Sequence, residues 1–232
     1  MTAPSHQLPK GQRALAYFPR IGLPRYVVRR VSVPAEPTLR IGGEVALPCE
    51  LPLAELGSVP RRDQVSDLHC VITWSRLGLR WRGWALPDVY EQLIVPRARP
   101  SGSVRYLKFV GADGFYASLA LDFALADDVL LADALDDEPL PLGHGAPLRL
   151  VAPAHYGYKS VKHLCAIELS SSYPSPFRGG GGLVAHRDAL AEREQRGQLL
   201  PGFVYRRLYA LIRPATLRAS RWFTHKRGRG DT

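Results

Sequence analysis

The segment VRYLKFV (residues 104–110) alternates apolar and polar residues without a break, a period of two that an α-helix cannot use. Asp113-Gly114 follows as a turn, and FYASLAL after it has the composition of a partner strand. An antiparallel pair with one buried face is therefore the feature that any fold of this chain must accommodate. Around it, TLRIGGEV (38–45) reads as a hairpin turning at Gly-Gly, and LPLAEL (51–56) as a short helix or turn. QVSDLHCVIT (64–73) is β-rich, with Val65, Leu68 and Val71 as expected core positions. LPDVYEQLI (86–94) has apolar residues at helical spacing and Pro96 as its stop. Leu121 to Leu135 is apolar at helical spacing and bounded by Pro139 and Pro141; Leu148–Ala152 and Leu164–Leu169 read as further strands. Strands interleaved with short helices predict an α+β domain.

Residues 1–30, rich in Pro, Arg and aromatics, read as an extended arm packing over a main domain that runs to residue 175. SSSYPSPFRGGGG opens a linker, so 176–232 form a helical C-terminal extension. Within it, 187–196 read as a charged helical stretch. FVYRRLYALIR (203–213) reads as an amphipathic helix with Phe203, Val204, Leu208, Leu211 and Ile212 on one side. The net charge of +10 is unevenly placed. Residues 178–232 hold 12 Lys+Arg against 4 Asp+Glu, whereas 1–177 hold 19 against 17. Seven acids between 122 and 138 (Asp122, Asp127, Asp128, Asp133, Asp136, Asp137, Glu138) would repel a phosphate backbone, so the body is not expected to bind nucleic acid. The basic tail reads first as a solvated end, and second as a dock for nucleic acid, an anionic membrane surface or an acidic partner. Three cysteines without a CxxC spacing exclude a disulfide scaffold and a zinc knuckle. No apolar run is long enough to span a bilayer. Arg29-Arg30 is followed by VSVPAEP rather than an export signal's apolar stretch, so the expected setting is the cytoplasm.

Two places carry chemistry. DLHCVITWSR sets Cys70 at the end of a β-rich segment, with His69 before it and Arg76 after it. A thiolate near cations suits a nucleophile or a soft metal ligand, and a buried small hydrophobe is the alternative. His69 is no general base for it, because adjacent strand residues point to opposite faces. GHGAPLRLVAPAHYGYKSVKHL (143–164) gathers His144, Arg149, His155, Tyr156, Tyr158, Lys159, Ser160, Lys162 and His163. Its Gly157–Ser160 turn offers N–H groups and a hydroxyl between cations, which fits an oxyanion such as a phosphate, although no P-loop is present.

In the order HCVITWS, PLPLGHGAPLRLVAP, YGYKSVKHL, joined by FPRIGLP (Phe18–Pro24) and DVLLADALDDEPLP, the sequence resembles the sulfite-oxidase-like family of molybdopterin-binding oxidoreductases over roughly residues 15–170. The resemblance implies the mixed-sheet α+β fold of that family, holding molybdenum through the dithiolene of one molybdopterin. It makes Cys70 the metal ligand, and gives His144, Arg149, Ser160, Val161 and Lys162 to the pterin and its phosphate, with Lys159 and Arg20 beside them. Tyr156, Tyr158 and Arg76 fall to the substrate side. CVITWSR lacks the arginine-rich run that follows the cysteine in animal and plant sulfite oxidases. The sequence thus looks more like the bacterial branch, near the methionine-sulfoxide-reductase-like catalytic subunits, although it has Gly111 and His144 where those have Thr and Asn. The implied function is two-electron oxygen-atom transfer on a small, sulfur-containing substrate, with electrons exchanged through a separate partner protein. The alternatives are a metal-free binding module of the same fold, and a nucleic-acid or acidic-partner binder working through the basic tail.

Overall fold

The structure is a computed structural model, and it describes residues 8–21, 26, 29, 31–174 and 185–227, with side chains to 220. The stretch 175–184, which covers most of the expected linker, lies outside the described residues.

Two five-stranded sheets enclose the core. The first has the order β2 (Cys49–Pro52), β1 (Thr38–Gly43), β10 (Leu164–Ser170), β5 (Tyr106–Gly111), β6 (Tyr116–Ala120). The second is built from β3 (Arg61–Cys70), β4 (Trp74–Ala85), β7 (Leu130–Leu135) and β8 (Glu138–Pro139), with β9 (Arg149–Val151) also paired to β7. The alternation of 104–110 becomes β5, which pairs antiparallel with β6 across the Asp113-Gly114 turn and buries Leu107 and Phe109. These meet Leu39, Ile41, Ile167 and Leu169 of the same sheet, and Leu86, Val89 and Ile94 of the helical segment after β4. A second apolar cluster joins Leu68, Trp74, Trp81 and Leu130 to Leu15, Phe18 and Ile21 of the N-terminal arm. The arm runs beside β4, where Leu15 donates to the Ser75 carbonyl and Ser75 to the Arg13 carbonyl, each at 2.8 Å.

Several expectations are corrected. Gly42-Gly43 makes no hairpin: β1 pairs parallel with β10 and antiparallel with β2, and Gly43 ends it at φ +86° with its Cα against the Leu169 carbonyl. The helix from Leu86 does not stop at Pro96. It continues as α1 (Leu86–Val89), a π-helical turn (Tyr90–Ile94) and α2 (Val95–Ala98), and ends where Arg99 turns left-handed. Pro96 falls where α2 takes over from the π-helical turn, inside the continuous helix. The run 121–135 is helical only at α3 (Leu121–Ala124). Its second half is β7, whose Leu131 packs in one apolar cluster and whose Leu130 and Ala132 pack in the other, so burial on both faces hides the strand period. The acids nearby pair with arginines of β3 and β4, as Asp127 does with Arg62 at 3.0 Å and Asp137 with Arg80 at 2.7 Å. Val65 is 65% exposed, because β3 is an edge strand. Residues 187–196 form turns rather than a helix, with Ala189 and Glu194 at positive φ. The C-terminal helix α4 spans Gly202–Arg227, and Phe203, Leu208, Leu211 and Ile212 face solvent.

Candidate functional site

Cys70 is the last residue of β3, and a tight turn through Thr73 (φ 59°) leads into β4. Three segments from distant sequence hold this turn. From the arm, Gln12 donates to the Cys70 carbonyl at 3.0 Å. From the 185–196 turns, Arg196 donates to the Val71 carbonyl at 2.7 Å. From α4, Arg213 donates to the Thr73 hydroxyl at 2.9 Å. The chain after β9 returns to the same place. Gly157 donates to the His69 carbonyl at 2.7 Å, which ties the donor-rich loop to the end of β3.

Between these segments lies a cavity of about 390 Å³. Leu68, Cys70, Ile72 and Trp74 form one wall; Arg20, Arg149, Ser160, Lys162 and His163 form another. Burial pushes the Cys70 thiol up to about 11, against the opposing pull of a backbone hydrogen bond at Ile72 and of the Arg196 and Lys162 charges. Arg149 is fully buried. It donates to the His144 carbonyl at 2.7 Å and to the Ser160 carbonyl at 3.3 Å, lies over the Trp81 ring at 4.9 Å, and is lowered to about 9 by burial. Lys162 donates to the Gly143 carbonyl at 3.1 Å. Burial lowers it to about 7, with the Arg149 and Arg20 charges acting in the same direction.

Among the described residues that line the cavity, Asp113 is the one carboxylate, against Arg20, Arg29, Arg149 and Lys162. Enclosing that much positive charge is costly unless an anion enters. The cavity thus offers a sulfur donor on one wall and a cationic cradle on another. This donor set fits a metal held by one protein thiolate and by an anionic organic chelate whose phosphate meets the cations. Among the described residues, no group of three or more His, Cys, Asp or Glu side chains is placed to hold a metal ion without such a chelate.

The candidates read from the sequence divide in the folded chain. Cys70, Arg20, Arg149, Ser160, Lys162 and Tyr158 share the cavity. His144 reaches its edge through Arg149. Its ring stacks on Phe18 at 4.3 Å, its buried Nδ1 has no hydrogen-bond partner, and burial with the Lys162, Arg149 and Arg20 charges lowers it to about 3. Val161 is packed in the core, beneath the cradle rather than in it. Lys159 turns away and donates to the Ser118 carbonyl at 2.7 Å and to the Arg187 carbonyl. Tyr156 is fully buried beneath the Arg196 guanidinium and points at the Ala191 carbonyl, so it does not line the cavity. Arg76 donates to the Leu77 carbonyl and is likewise absent from the walls.

Sequence reasoning missed Arg29, which was read only as part of the Arg29-Arg30 pair and which lines the cavity with Asp113 and Phe115. It also missed Tyr209 and Ile212 of α4, which complete the rim. The i, i+4 pair Tyr205 and Tyr209 marks the inward side of α4 and was the available signal. His69, by contrast, meets Ser75 at 2.8 Å and does not line the cavity. Cys165 donates to the Val110 carbonyl, and Cys49 packs on the core.

The family described as "Oxidoreductase molybdopterin binding domain" matches residues 27–177. The uncharacterized oxidoreductase YuiH of Bacillus subtilis (strain 168) is 36% identical over 132 residues, covering 57% of this chain and 64% of that protein. The protein-methionine-sulfoxide reductase catalytic subunit MsrP of Xanthomonas axonopodis pv. citri is 32% identical over 153 residues, covering 59% and 46%. Among solved structures, the sulfane dehydrogenase SoxCD from Paracoccus pantotrophus has the same fold at a TM-score of 0.56 and 20% identity, over 69% of this chain and 45% of that one. The chain thus spans between about half and just under two thirds of the length of these curated relatives. Helix α4 lies outside the matched residues.

Proposed function

Since the chain belongs to the molybdopterin-binding oxidoreductase domain family, whose cofactor is molybdopterin-bound molybdenum, we propose that it catalyses two-electron oxygen-atom transfer on a small sulfur-containing substrate, with Cys70 as the protein's ligand to the metal. The observation that carries this reading is the sharing of one cavity by Cys70 and the cationic group of Arg20, Arg149 and Lys162. When bound, the cofactor supplies the two-electron redox chemistry; the protein supplies binding, orientation and electrostatics.

Cys70 binds as thiolate, so its proton leaves on loading, and the Arg196 and Lys162 charges favour that loss. Arg149 would hold the phosphate end, its guanidinium fixed by three carbonyls and the Trp81 face. Burial and the Arg149 and Arg20 charges lower Lys162 to about 7, and a phosphate alongside would raise its affinity for the proton. Tyr158, Tyr209 and Ile212 also line the cavity and would contact the substrate. Reduction of a sulfoxide consumes two electrons and two protons and gives a thioether and water; the electrons come from a separate partner protein. The name of the MsrP relative supports this direction of transfer. The test is to express the chain with molybdopterin supply and follow oxidation of a reduced viologen dye on adding a methionine sulfoxide. Sulfoxide-dependent oxidation is expected, and its absence in a metal-loaded protein would exclude this substrate class.

A further inference from the structure

Helix α4 has two unlike sides. The inner side is committed to the domain: Tyr205 is buried, Arg206 meets Glu194 at 3.0 Å, Arg213 holds Thr73, and Ser220 donates to the Arg20 carbonyl at 3.0 Å. The outer side carries Leu208 (50% exposed), Leu211 (79%) and Ile212 (47%), with Ala215 and Ala219 continuing the same stripe at helical spacing. Phe203 in the first turn, and Leu199 and Leu200 before the helix, are exposed as well. Arg207 and Arg218 are exposed along its border. Across 202–227 the sequence holds Arg206, Arg207, Arg213, Arg218, Arg221, Lys226 and Arg227, and not one acidic residue. The helix is not apolar enough to cross a bilayer.

We propose that the outer side of α4 is an interfacial helix that lays the protein on an anionic lipid surface. An apolar stripe bordered by guanidinium groups needs two things at once, cover for the stripe and negative charge at its edge. The boundary between acyl chains and anionic headgroups supplies both. A second copy of the chain would cover the stripe but would bring Arg207 and Arg218 against the same positive face, which charge repulsion opposes. Ile212 belongs to the stripe and to the cavity rim, so docking sets the rim against the headgroups. This inference does not depend on the reaction proposed above.

The full chain is tested by co-sedimentation with phosphatidylcholine vesicles, with and without phosphatidylglycerol, at low and high salt. Binding to the anionic vesicles is expected to exceed binding to the neutral ones by at least about tenfold and to weaken with salt. Leu211→Glu is expected to reduce it by about tenfold or more with an unchanged thermal melt, while Leu211→Phe retains it. Three results overturn the proposal. These are no partition onto anionic vesicles at low salt, equal partition of Leu211→Glu, and a concentration-dependent dimer in solution that Leu211→Glu abolishes.

Discussion

Arg213 donates to the hydroxyl of Thr73 at 2.9 Å, so a helix outside the family-matched segment grips the turn that immediately follows Cys70. The contact is half-buried, and its loss is expected to cost about 1 kcal/mol. Arg213→Ala should therefore unfold at slightly lower urea. It should also let iodoacetamide reach Cys70 faster in cofactor-free protein, while Cys49 reacts at its former rate. Equal Cys70 rates in the two proteins would show that α4 does not restrain the turn.

Arg149 makes three carbonyl bonds, to His144, Leu150 and Ser160, and a ring contact that one ammonium cannot reproduce. Arg149→Lys is expected to fold but to retain molybdopterin at least about tenfold less well, a change of about 1.4 kcal/mol or more. Pterin fluorescence released from equal amounts of purified protein measures this. Arg76→Lys, altered at a residue away from the cavity walls, should retain the pterin as the unsubstituted chain does.

His144 is held neutral by burial and by three nearby cations, with its proton affinity lowered from the usual 6.5 to about 3. The folded state therefore binds fewer protons than the unfolded state between these values, and stability falls as pH drops from about 6.5 toward 3. Above about 6.5 both states are neutral and the effect vanishes. His144→Phe should remove this part of the acid sensitivity. The check is the difference in urea midpoint between the two proteins at pH 7 and at pH 5, which should narrow or reverse at the lower pH.

Gly43 sits at φ +86°, and a Cβ there would lie 2.2 Å from the Leu169 carbonyl oxygen of the parallel neighbour. Both the backbone conformation and the strand contact exclude a side chain. Gly43→Ala is expected to cost about 3 kcal/mol or more, read from thermal or urea unfolding. Gly57→Ala, where a Cβ meets nothing within 4 Å, serves as the control.

What was legible in the sequence follows from which interactions are local. The β5–β6 pair could be read because its alternation and its Asp113-Gly114 turn lie within one short segment. β1 could not be placed, because its parallel partner β10 lies more than a hundred residues away and leaves no mark near Gly42-Gly43. β7 was hidden by burial on both faces, which erases the period of two. The site divides in the same way. Cys70, Arg149 and Lys162 were found from residue chemistry in two compact segments. Lys159 and Tyr156 stand in one of those segments yet turn away, since consecutive residues of a tight loop point in different directions. Tyr209 and Ile212 reach the cavity only because α4 folds back over it.

The central claim is that the Cys70 sulfur bonds the metal. X-ray absorption at the molybdenum edge, on protein loaded with cofactor, counts the sulfur neighbours directly. The unsubstituted chain is expected to show one sulfur neighbour more than Cys70→Ser, with pterin still present in both. An identical sulfur shell in the two proteins would contradict the assignment.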